Sequence, residues 1–177
     1  MRRTLLPAAV MAAIGVCAIA PAQTDYPGTK FEPVNISVKA GIGVPLDTAL
    51  SNAASSYLGF GVEFQAPSSL LKSGDTYLNG DWFSQSLKGT PSFFNLGVNQ
   101  RFYLGDDRVP GRRHYAFVGI GLDFLNVYTS DTVFAARGGF GSELGENIFA
   151  EVAAYVGDKS NNGVHPNMLS VWLGYRF

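Results

Sequence analysis

The stretch Ile36-Ser37-Val38-Lys39-Ala40-Gly41-Ile42-Gly43-Val44 alternates strictly. Its odd members are polar or glycine and its even members are apolar. A period of two places alternate side chains on opposite faces of an extended strand, whereas a helix would repeat every 3.6 residues. The same rhythm recurs along the chain. Leu58, Phe60, Val62 and Phe64 alternate with Gly59, Gly61, Glu63 and Gln65. Phe94, Leu96, Val98, Phe102 and Leu104 oppose Asn95, Gly97, Asn99, Arg101 and Tyr103. Ala116, Val118, Ile120, Leu122 and Phe124 oppose Phe117, Gly119, Gly121 and Asp123.

Further on, residues 132–144 form a glycine-rich strand with Arg137 in the polar phase, turning at Gly145-Glu146-Asn147. The return strand sets Ile148, Ala150, Val152, Ala154 and Val156 against Phe149, Glu151, Ala153 and Tyr155. The last sets Leu169, Val171, Leu173, Tyr175 and Phe177 against Ser170, Trp172, Gly174 and Arg176. Residues 76–85 make a third strand in chain order whose phase is ambiguous. Segments 47–56, 66–75, 86–91, 105–114 and 157–167 carry turn residues. Eight strands of about ten residues result, the length a tilted strand needs to cross a bilayer. An even number of antiparallel strands can close and leave no edge.

Alternation does not say which face is wet. A soluble barrel hides its apolar face, and a membrane barrel displays it. Composition decides. Of the 177 residues, 46% are hydrophobic and only 15% charged, against roughly 25% charged in soluble domains. The second strand face is largely glycine, with isolated polar groups and a few large aromatics. Its charges are Lys39, Glu63, Arg101, Asp123, Arg137, Glu151 and Arg176. All seven lie opposite the aliphatic ladder. Lysine or arginine facing lipid costs about 2–4 kcal/mol at the midplane, so charge is excluded there. Inside a narrow barrel, four bases and three acids neutralise one another as a lumen charge network. Phe60, Phe64, Phe94, Phe102, Phe124, Tyr175 and Phe177 are expected to face lipid. Tyr103, Phe117, Phe149, Tyr155 and Trp172 are expected to fill the lumen, where glycine makes room.

The N-terminal residues read as a secretory signal peptide, 1–22. Arg2 and Arg3 are the positive region, residues 5–20 are apolar, and Ala20-Pro21-Ala22 is a cleavage site, with cleavage after Ala20 as the alternative. About sixteen apolar residues fall short of the ~20 that span a bilayer. The single cysteine, Cys17, lies in this leader, so the processed chain carries no disulfide and no thiolate metal site. Residues 23–34 are a periplasmic lead-in, and 35–177 are the barrel.

The alternation Leu173, Tyr175, Phe177 resembles the C-terminal sorting signature of bacterial outer-membrane β-barrels. The stretch Arg137-Gly138-Gly139-Phe140-Gly141, through Leu144-Gly145-Glu146-Asn147 to Tyr155, resembles the penultimate hairpin of OmpA/OmpX-type eight-stranded barrels. The resemblance spans the processed chain in pattern and its last forty or so residues in motif. It implies an all-β chain folded as a closed antiparallel transmembrane β-barrel of eight strands in the outer membrane. Both chain ends would be periplasmic. It also implies that Leu173, Tyr175 and Phe177 form the assembly signal. The implied partners are outer-membrane lipids and, during biogenesis, the barrel-assembly machinery and periplasmic chaperones. In that family periplasmic turns are short, whereas here 66–75 and 105–114 are as long as any loop.

Catalytic and cofactor signals are lacking. A net charge of -1 gives no basic surface for nucleic acid. Gly41-Ile42-Gly43 and Gly119-Ile120-Gly121 sit inside strands, whereas a phosphate loop must open a helix. His114 and His165 are the only histidines. His165-Pro166-Asn167 does not match the His-x-Ser pair of a lipid A deacylase. The set His165, Asp158 and Ser160 lacks any spacing that specifies a nucleophile and base. Arg108, Arg112 and Arg113 read as solvated charge at a lipid–water boundary. No cofactor and no metal are expected, and the expected oligomeric state is a monomer. The expected role is structural or one of envelope interaction, with a largely filled lumen. The alternatives are a narrow channel for small solutes, a lipid-A-modifying enzyme, and a soluble secreted barrel.

Overall fold

A computed structural model describes residues 36–67, 69–71, 74–85, 91–104 and 112–177. The leader and lead-in expected from the sequence lie outside them, as does Arg108. Eight strands and one short helix follow in order: β1 (Ile36–Pro45), α1 (Thr48–Ala53), β2 (Tyr57–Gln65), β3 (Asp75–Ser84), β4 (Ser92–Leu104), β5 (His114–Asn126), β6 (Ser130–Glu143), β7 (Ile148–Gly157) and β8 (Met168–Arg176). Each strand pairs antiparallel with its successor, and β1 pairs with β8 to close the barrel. At the closing seam Ala40 faces Leu173 and Gly41 faces Trp172.

The alternation decides the two faces. Ile42, Ile120 and Val171 point outward and are 54%, 60% and 58% exposed. Lys39, Arg137 and Glu151 point inward and are buried. The ambiguous third strand resolves the same way. Tyr77, Asn79, Asp81 and Phe83 are buried toward the lumen, with Leu78 exposed on the other face. Trp82, in the outward phase, stacks on Phe60 with ring centroids 6.1 Å apart. His114, read as part of a turn, instead opens β5 and is exposed.

One segment read as a turn is a helix. Asp47 caps α1, its carboxylate accepting the Leu50 N–H at 3.0 Å. Aspartate at this position satisfies a backbone donor that has no partner within the helix. Six residues are too few to show helical periodicity in the sequence. Leu50 is fully buried at the barrel mouth, and the Tyr57 hydroxyl donates to its carbonyl at 3.2 Å.

Candidate functional site

The charged side chains of six strands meet in the barrel interior. Lys39 Nζ lies 2.8 Å from Glu63 Oε1, 3.0 Å from Asp81 Oδ1 and 3.7 Å from Glu151 Oε2. Arg101 Nη2 lies 3.0 Å from Glu63 Oε2 and 3.6 Å from Glu151 Oε1. Arg137 Nη2 reaches Glu151 Oε2 at 3.0 Å and Glu63 Oε1 at 3.9 Å, and its Nε is 3.6 Å from Asp81 Oδ2. Three cations thus face three carboxylates, and all six residues are buried.

Burying these ions carries a large desolvation penalty, which only close pairing and further hydrogen bonds can offset. Both are present. Tyr155 donates to Asp81 Oδ2 at 2.8 Å, and Tyr115 donates to Glu151 Oε1 at 3.1 Å. The Arg101 guanidinium lies over the rings of Tyr77 (4.5 Å) and Tyr115 (4.6 Å), Arg137 over Phe117 (4.5 Å), and Lys39 over Trp172 (4.9 Å). Aromatic faces attract cations most strongly where water is excluded.

Five of the seven charges singled out in the sequence belong to this cluster. Asp123 does not; it is tied to it through amides. Asn95 Nδ2 donates to Asp123 Oδ1 at 2.6 Å, and Asn79 Nδ2 donates to Asn95 Oδ1 at 2.9 Å and to Asp81 Oδ2 at 2.8 Å. Arg176 sits at the rim that carries Ile36 and Phe177. Its Nη1 meets Glu143 Oε1 at 3.1 Å, and Arg113 holds the same carboxylate through Nε and Nη2 at 2.9 and 2.7 Å. These bonds to Glu143 hold the Arg113 guanidinium above its ordinary pKa. Arg113 also covers the Tyr103 ring at 4.1 Å, and Tyr103 donates to Asp75 at 2.7 Å. Arg113 is thus a fixed partner, whereas its neighbour Arg112 is exposed.

Sequence reasoning missed Asp81, Glu143 and the role of Arg113. Asp81 was hidden by the unresolved phase of its strand. Glu143 stands at the end of β6, where alternation carries least information. Asn95 and Asn99 were detectable, since both share the inward phase of Arg101.

Aromatic and aliphatic side chains pack the opposite half of the barrel. Phe83 stacks on Phe93 at 4.7 Å and contacts Trp172 at 5.0 Å and Tyr155 at 5.3 Å. Val164 buries itself in the same cluster, its N–H bound to Ser160 Oγ at 3.1 Å. That bond uses Ser160 to close its loop, and His165 Nδ1 lies 3.3 Å from the Gly157 carbonyl oxygen. Ser160 and His165 thus each meet a backbone group of this loop. Among the described residues no group of three His, Cys, Asp or Glu could hold a metal.

No protein-family model matches the chain. No curated protein matches it either. Solved structures do. The N-terminal β-barrel domain of Pseudomonas aeruginosa OprF aligns over 81% of this chain and 97% of its own, at 14% identity and a TM-score of 0.49. Neisserial surface protein A aligns over 81% and 96%, at 9% identity and a TM-score of 0.48. The Yersinia pestis outer membrane protein Ail, in a phospholipid bilayer nanodisc, aligns over 81% and 99%, at 14% identity and a TM-score of 0.45. All three are eight-stranded outer-membrane barrels. This chain is a closed eight-stranded antiparallel barrel similar to them.

Proposed function

We propose that the chain is an integral outer-membrane protein, exported by its signal peptide, whose role is structural or one of envelope interaction. The observation that carries this reading is the division of the wall. The exposed outward faces are mainly aliphatic and aromatic, while the charges of the strand cores turn inward, six of them pairing three against three. In water such a wall would be a large exposed apolar patch. In lipid it is the expected surface, because charge there is excluded. The lumen network and the aromatic layer above it close the interior to solutes.

Two measurements test it. On fractionation the protein should need detergent for extraction; recovery in the soluble periplasmic fraction would sink the membrane reading. In planar bilayers the wild-type barrel should give no steady single-channel steps. Steps that change on Glu151→Gln or Arg137→Gln would replace the closed barrel with a narrow channel.

The proposal extends to biogenesis. Leu173, Tyr175 and Phe177 follow one outward phase, the last two rings 5.0 Å apart and edge-on. The Phe177 N–H also donates to the Ile36 carbonyl at 2.9 Å, joining the closing seam. These three residues are the strand read by the assembly machinery. Deleting Phe177 should give unassembled, protease-sensitive protein. Normal heat-modifiable mobility on a gel would contradict that role.

A further inference from the structure

At the ends of β3 and β4 near the rim that carries Ile36 and Phe177, two polar side chains occupy the outward phase of the wall and yet are buried. Thr76 and Gln100 face each other across β3 and β4 and are 5% and 7% exposed. Gln100 stands between Val98 and Phe102, where the ladder should be apolar. Both are covered by Ser69 and Leu70, in the connection from β2 to β3. The Thr76 hydroxyl donates to Gln100 Oε1 at 2.7 Å and accepts the Leu70 N–H at 2.7 Å. Gln100 Nε2 donates to Ser69 Oγ at 3.0 Å, and that hydroxyl donates to the Leu71 carbonyl at 2.6 Å. The cluster ties Thr76 and Gln100 to each other and to the exposed Ser69 and Leu70. Polar groups must be satisfied internally in this way where no water is at hand. On its outer side it shows Leu70 and Leu71, 74% and 51% exposed, above the exposed Leu78 of the same wall.

Close approach makes the cover possible. A β-carbon on Gly74 would stand 1.9 Å from the Arg101 carbonyl oxygen, so only glycine lets the chain return against β4 here.

We infer that Leu70 and Leu71 are a membrane-contact element, seated among phospholipid acyl chains at the rim that carries Ile36 and Phe177. In the proposed orientation this is the periplasmic leaflet. The inference rests on the membrane reading and deepens it. The connection does not hang in water as a turn; it extends the apolar wall over the polar pair that β3 and β4 present at this rim. Its length, unlike the short turns of the resembling family, is what reaches across that pair.

Nitroxide labels test this directly. Cys17 is the chain's single cysteine and lies in the leader. Single variants Leu70→Cys and Leu71→Cys, with Cys17 replaced, can therefore be labelled cleanly in phosphatidylethanolamine–phosphatidylglycerol vesicles. Leu78→Cys and Val98→Cys serve as wall controls, and Glu146→Cys as an aqueous control. Power saturation should show oxygen relaxing labels at 70 and 71 more than a water-soluble nickel chelate does, as at 78 and 98, with the order reversed at 146. Nickel-accessible labels at 70 and 71 beside lipid-accessible labels at 78 and 98 would overturn this inference alone. Nickel-accessible labels at 78 and 98 would overturn the membrane reading itself. Dipolar broadening at 70 or 71 would make a second copy of the chain the occupant and equally overturn lipid contact.

Discussion

Replacing Glu63 by alanine is expected to destabilise the barrel by about 3–5 kcal/mol, the usual cost of breaking a buried ion pair from one side. Glu63 bonds Lys39 at 2.8 Å and Arg101 at 3.0 Å, with Arg137 at 3.9 Å. Without it three cations share two carboxylates in a site closed to water. Arginine does not shed its proton to relieve the imbalance. The double variant Lys39→Met, Glu63→Leu is the informative companion. It removes one charge of each sign and leaves Arg101 and Arg137 facing Asp81 and Glu151. Replacing a buried pair with apolar groups of similar volume is often neutral or better. The double variant should therefore cost clearly less than Glu63→Ala alone. Guanidinium titrations in vesicles, followed by fluorescence of Trp82 and Trp172, would measure both. A double variant at least as costly as the single would mean that the cluster acts through packing and not through charge balance.

That comparison also bears on what the network is for. If the balanced double variant keeps its stability, the six charges are not there chiefly to add it. Each comes from a different strand: β1, β2, β3, β4, β6 and β7. Only the native strand order and register bring all six together, so the charge balance discriminates against slipped closures more than it deepens the native well.

The faces of the barrel were legible in the sequence because one residue in each strand sets the phase for the rest. With Lys39 inward, Ile36–Pro45 follows; with Glu151 inward, so does Ile148–Gly157. Pairing within the lumen was not legible. Lys39 meets Glu63 through the neighbouring strand, but it meets Glu151 only because the barrel curls β7 toward β1. Asp81 was lost for a physical reason. Trp82 and Phe83 are adjacent and both aromatic, one stacked on Phe60 outside and the other packed against Phe93 inside. Lipid and a dry lumen both accept an aromatic ring, so hydrophobicity cannot set the phase there. Gln100 is the converse case. It breaks the apolar ladder of β4, and its explanation lies in Ser69, about thirty residues away in sequence, which it bonds directly, and in Leu70, which bonds its partner Thr76.

Trp172→Ala should cost about 3–5 kcal/mol, the range for deleting a large buried aromatic side chain. The indole of β8 is 1% exposed and lies across glycines of the next two strands around the seam. A β-carbon on Gly41 would stand 2.8 Å from Trp172 Cε3, and one on Gly59 would stand 2.6 Å from Cη2. The two glycines face each other across β1 and β2 and together form a slot one ring wide. Gly59→Val alone should overpack that slot, at about 1–3 kcal/mol. Combining the two substitutions tests whether slot and ring are one unit. Valine would then occupy part of the volume the indole vacates, so the double variant should cost clearly less than the sum of the singles. Loss of heat-modifiable mobility with increasing denaturant measures all three. Gly41 should not be rescued in the same way, because a β-carbon there also meets the Val171 carbonyl oxygen at 2.2 Å, and backbone cannot move aside as a ring can. Strict additivity at Gly59 would show that the indole does not set the requirement for glycine. The closure of β1 on β8 would then rest on the backbone ladder alone.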